Sequence, residues 1–175
     1  MNTPDWGLTL TYFLHMVATV VSVGGIFIMF FSLASLASLR KPDIETINLQ
    51  LKIVHRLEAA GWFCAAVLIG TGLLQMSANP NYNGFLEIDN RWSSAILIKH
   101  LFFLLIALVS VYISLVLLPR VRRSFLQASH LSPGPALEKL LDNLSAEFNR
   151  VTIFIAVNFI FAIIILSLTA VARIS

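Results

Sequence analysis

The chain has 175 residues, of which 58% are hydrophobic and only 12% charged, and it carries a formal net charge of +3. A soluble domain carries roughly 25% charged residues, so this composition excludes an ordinary water-soluble domain. The excess positive charge is confined to two segments between apolar runs, which is a membrane pattern rather than a nucleic-acid footprint.

A membrane-crossing helix needs about 20 mostly apolar residues. Four segments meet that need: residues 8–39, 59–77, 94–118 and 151–172. They predict an all-α protein, an integral-membrane antiparallel four-helix bundle that takes up residues 1–175 as one domain. The first span follows Asp5, with no Lys or Arg ahead of it. Its apolar run is too long for the core of a cleavable signal, so none is expected. His15 lies about seven residues into this span, on the order of 10 Å deep. Thr11, Ala18, Ser22, Gly25 and Ser32 share its face, a small and weakly polar stripe that admits a close helix or a flat ring. Phe13, Val17, Val20 and Phe27 lie opposite and suit lipid.

Between spans one and two, Ile47, Leu51, Val54 and Leu57 recur at helical spacing and predict an amphipathic extension of span two. His55 sits there beside Arg56 and Glu58, where water reaches, and is expected to be interfacial. Span two holds the only cysteine, Cys64, expected as a small packing residue. Gly61, Gly70 and Gly72 are expected to allow close helix packing, and Trp62 to anchor at the inner interface. Residues 78–92 form a loop with the turn signals Asn79-Pro80-Asn81 and Asn83-Gly84. Trp6, Tyr82 and Trp92 are expected to form an aromatic belt at the outer boundary.

Span three carries Lys99 and His100. His100 lies about six residues in, on the order of 9 Å deep, level with His15. Phe103, Leu104, Ala107 and Ser114 align with it. An ammonium at that depth costs roughly 3 kcal/mol on insertion scales. Lys99 is expected either to extend outward to the headgroups or to pair with a propionate or substrate carboxylate. After span three come the basic residues Arg120, Arg122 and Arg123, the solvated His130, and the breaker Pro133-Gly134-Pro135. Leu137, Leu140, Leu141, Leu144 and Phe148 then predict a second amphipathic extension, continuous with span four. Asn158 lies mid-membrane and is expected to bond a neighbouring helix.

Nine of the twelve Lys and Arg residues fall between spans one and two or between spans three and four. The positive-inside rule places those segments and both extensions in the cytoplasm, and the N and C termini outside. A bacterial plasma membrane is the expected location, with the lipid bilayer as the first partner and no nucleic acid.

Two histidines at one depth in different spans can clasp a single metal centre between helices. This predicts one haem b near the outer face, with His15 and His100 as axial ligands. Ser22 and Gly25 would make room for the ring, and Lys99 and Arg91 would neutralise propionates. The competing structural reading has both histidines hydrogen-bonded to neighbouring helices. A chain this small is expected to transfer electrons as a subunit of a larger membrane redox complex or as a homo-oligomer. A copper-binding or copper-transport protein is the first alternative, with His15, His100, Met16 and Met76 as candidate ligands, although Met16 is turned about 100° from His15. A noncatalytic structural or pigment-holding subunit is another. No Gly-x-Ser-x-Gly elbow, His-Glu-x-x-His motif or phosphate-binding loop occurs.

Several of these residues also form an ordered pattern. Leu14-His15 with Gly24-Gly25, then Arg56, Gly61-Trp62 and Thr71-Gly72, then Lys99 with Pro119-Arg120, then Arg150, resemble the four-helix membrane proteins related to the copper-resistance protein D (CopD) domain. The pattern is more distantly similar to the HemJ-type protoporphyrinogen oxidases. The resemblance spans nearly the whole chain. It implies copper handling in the first case. In the second it implies porphyrinogen oxidation relying on a first-span His and a third-span Lys, which correspond to His15 and Lys99. Ser22 stands where the family carries a Trp, and His100 lies outside the family pattern.

Overall fold

The computed structural model describes residues 5–38, 43–80, 82, 84 and 90–173. The expected end of the first span at Leu39, the basic residues Arg40 and Lys41, and Asn81 and Asn83 of the turn signals lie outside the described residues. The described chain is built from long helices joined by short connections, with no strand among the described residues. Helix α1 spans Asp5–Ser38 and α2 Ile44–Ser77. Helix α3, Arg91–Tyr112, passes through a π-helical segment, Ile113–Leu117, into α4, Leu118–Ser129. Helix α5 spans Pro135–Arg173. Four rods are thus long and apolar enough to cross a membrane.

Local chemistry sets the helix ends. Asp43 caps α2, its carboxylate accepting the Thr46 N–H at 3.0 Å. Asn90 and Ser93 form a reciprocal capping box that starts α3: the Ser93 N–H donates to Asn90 Oδ1 at 2.7 Å, and the Asn90 N–H donates to Ser93 Oγ at 3.2 Å. Pro135 opens α5, where its missing N–H is no loss.

The third rod differs from expectation. The sequence predicts a span ending at residue 118, before Pro119, yet the helix runs on to Ser129. In a regular helix the Pro119 ring would collide with the carbonyl of Leu115. The π-helical turn lies across that position and re-spaces the backbone, so the helix survives the proline.

Helix α1 packs chiefly on α2 and also on α5, while α3 packs on α5 and α2 on α4. Thr11 meets Gln75, His15 meets Thr71 and Ser32 meets Gln50. Numbers rise on one helix as they fall on the other, so α1 and α2 run antiparallel. Asn158 with Ser110 and Phe154 with Tyr112 give the same order for α3 and α5.

The tight core sits at one end of the bundle. Leu33 and Leu36 of α1 pack there with Ile47, Leu51 and Val54 of α2. Ile113, Leu117 and Val121 of the third rod and Leu144, Phe148, Val151 and Ile155 of α5 complete it. The other half, which holds His15 and His100, is more loosely filled. A methyl built on Gly24, Gly25, Gly61 or Gly70 would meet nothing within 4 Å. The expectation that Gly61 and Gly70 draw helices together is therefore wrong, because no atom approaches them.

One aromatic expectation also changes. Trp6 is exposed, but Trp92 is only 7% exposed, so it packs within the protein instead of lining a surface belt. Trp62 donates its Nε1–H to Ser114 Oγ at 3.3 Å, tying α2 to the π-helical segment.

Candidate functional site

His15 lies on the inward face of α1. Ala18, three residues on, is buried, and so is Leu33, five helical turns on. Phe13, Val17, Val20 and Phe27 are exposed on the opposite face. His15 Nδ1 is 2.8 Å from Thr71 Oγ1 on α2. Thr71 is buried, and its single hydroxyl hydrogen is directed to the Val67 carbonyl at 2.6 Å. The hydroxyl therefore accepts from His15, and Nδ1 carries the proton. Nε2 keeps its lone pair. Gly72 completes the wall, since a Cβ there would lie 3.6 Å from His15 Cε1. Any side chain larger than a methyl would press on the ring.

His100 follows the same rule through its own helix. Its Nδ1 is 2.7 Å from the Ile96 carbonyl, which can only accept, so Nδ1–H donates and Nε2 is again left over. Its orientation differs from the expected inward one. Lys99 lies four residues after Ala95 and seven after Trp92, both buried, so Lys99 occupies the inward face of α3. His100 is turned about 100° from it. It is half-buried on the flank that also carries Ser114, which bonds Trp62 of α2. Leu104, one turn along from His100, is 53% exposed.

Lys99 is half-buried on the inward face of α3. No carboxylate of the chain pairs with Lys99 among the described residues. His15, Thr71 and Gly72 thus share one layer, with Lys99 facing inward from α3 and His100 on its adjoining flank. Ser22 and Gly25 continue the His15 face and are half-buried. Open space lies where Gly25 would carry a side chain. Arg91 is not part of this layer. It is exposed, and nine residues before His100 place it on the opposite flank of α3.

The remaining candidates lie elsewhere. His55 is exposed, 3.9 Å from Glu58 on its own helix, and His130 is exposed. Cys64 is buried and free. Met16 is 65% exposed and turned away from His15, while Met76 is buried. Asn158 is 4% exposed and donates to Ser110 Oγ at 3.0 Å, as expected of a helix-joining amide. Its Oδ1 has no partner. Among the described residues no three His, Cys, Asp or Glu side chains gather as a metal-binding group.

Spacing along the chain could not assign Thr71 to His15, because the partner lies 56 residues away. The signal that did exist was its place in the Thr71-Gly72 pair, of which Thr71 bonds the ring and Gly72 leaves room for it. The chain matches no protein-family model, no curated protein and no solved structure.

Proposed function

We propose that this membrane protein holds one haem b between α1 and α3, with His15 and His100 as axial ligands, and transfers electrons as a subunit of a larger membrane redox complex. The observation that carries this reading is the state of the two rings. Each gives its Nδ1–H to a fixed acceptor and keeps Nε2 free, which is how ligating histidines are oriented by outer partners.

The packing order is compatible with it. Neighbouring helices about 8–10 Å apart leave no room for a porphyrin between them, whereas helices that are not close neighbours do. Helices α1 and α3 are such a pair. Gly25 leaves open space farther along the His15 face, and the unpaired Lys99 suits a propionate. A bound haem supplies a one-electron couple there. The chain's own residues orient the ligands, balance charge and exclude water.

In this reading the basic segments and the extensions at the starts of α2 and α5 are cytoplasmic. The termini and the haem lie toward the outside of a bacterial plasma membrane. A reduced-minus-oxidised visible spectrum of the detergent-purified protein tests the proposal. It is expected to show sharp haem b bands at one haem per chain. His15→Ala and His100→Ala should each abolish them, and His55→Ala should not. Absence of the bands, or their loss in His55→Ala alone, overturns the pairing.

A second reading is favoured by one observation, that Lys99 and His15 both face the bundle interior. That pair corresponds to the residues on which HemJ-type porphyrinogen oxidation relies. Porphyrinogen oxidation by purified protein, lost in Lys99→Met while the haem spectrum persists, would select it. Copper handling draws no comparable support, since Met16 is turned outward.

A further inference from the structure

We propose that the groove between the first turns of α3 and the last turns of α5 binds one anionic phospholipid, with Arg91 holding its phosphate. The groove is open and has a volume of about 520 Å³. It lies on the flank of α3 opposite His100, so it is separate from the histidine layer and does not depend on the haem reading.

Arg91 and Ser94 line the end nearer the helix terminus, and Ala95, Ile98, Leu168 and Val171 form the walls. Arg91 is exposed and has no ion pair among the described residues. One turn beyond Ile98, the ring of Phe102 packs on that of Phe161 of α5, with centroids 5.4 Å apart. From Arg91 to Phe102 is eleven residues, about 16 Å along the helix. The site therefore offers a cation at one end and an apolar channel leading away from it.

Charge complementarity and position together select the occupant. Both helices are long and apolar enough to cross a bilayer, so lipid is the medium that meets this face. A cation at the end of a crossing helix lies at headgroup level. A zwitterionic lipid fits the apolar channel equally well but brings its own cation to Arg91. A free phosphate satisfies Arg91 and leaves the channel unused. Only an anionic phospholipid uses both parts.

The test is native mass spectrometry of the full chain in detergent, with phosphatidylglycerol or phosphatidylcholine of identical acyl chains added at equal concentration. The expected result is retention of one phosphatidylglycerol with a preference of about fivefold, the value of one basic residue near a membrane surface. Arg91→Gln should erase the preference. Ile98→Trp, which fills the channel at an exposed position, should reduce retention of both lipids. Arg122→Gln, an exposed cation of α4, should change neither. Equal retention of the two lipids by the unaltered protein overturns the proposal, as does a preference that survives Arg91→Gln. So does a thermal-melt increase with inorganic phosphate as large as that with phosphatidylglycerol.

Discussion

At the scale of single residues, the contact between His15 and Thr71 decides what the imidazole can do. Thr71 spends its hydrogen on Val67, so it can only accept from the ring. Thr71→Val keeps the shape and removes the acceptor. Outer partners of this kind are worth about 10–100-fold in metal affinity; under the haem proposal, that loss is expected in haem titrations of Thr71→Val, with recovery in Thr71→Ser. A second prediction concerns Asp43. Hydrogen bonds from the Thr46 side chain and backbone N–H hold its carboxyl below the usual carboxylate range. A carboxylate depressed in the folded state stabilises above its unfolded pKa and loses that effect as pH falls through the folded value. Asp43→Ala should therefore melt earlier than the unaltered protein at neutral pH, and the gap should close in strongly acidic buffer. The depth of His15 and His100 could be counted from the sequence. Which of Lys99 and His100 faces inward could not, because adjacent residues always point about 100° apart and only the neighbouring helices choose between them.

At the scale of elements, the two halves of the bundle are held by different forces. Where α2 and α5 begin, Leu144 is 1% exposed within an apolar cluster, while Asp142 and Asn143 beside it face outward. Burial from water drives packing there. Leu144→Ala is expected to cost about 2–5 kcal/mol in unfolding measurements, as for other buried leucines. Ile160 is 57% exposed on the apolar part of α5. Lipid is as apolar as the side chain itself, so Ile160→Ala should cost far less in the same assay. The helical spacing of Ile47, Leu51, Val54, Leu144 and Phe148 is legible in the amino-acid order, and these residues are buried. The passage of the third rod through Pro119 is not legible there. A proline normally marks a helix end, and only the π-helical turn ahead of it lets the chain continue.

At the scale of the whole molecule, the placement of charge makes the orientation testable. The basic residues cluster in the two inter-helix segments assigned to the cytoplasm. A reporter fused after Ser175 should be active only if it works outside the membrane, and one inserted at Ser132 only if it works inside. The opposite pattern would reverse the assignment. Sequence by itself determined the number of crossing helices, the side expected for each basic segment and the level of the two histidines, because those follow from run lengths, charge and rise per residue. Tertiary structure alone decided that the dense core lies at one end and that Gly24, Gly25 and Gly70 meet open space while Gly72 lies against His15. It also decided that Lys99 faces inward and Thr71 bonds His15, while Arg91 faces a separate groove. Those outcomes depend on how each helix is rotated and which helices touch, and in an apolar environment hydrophobic patterning is too weak to specify either.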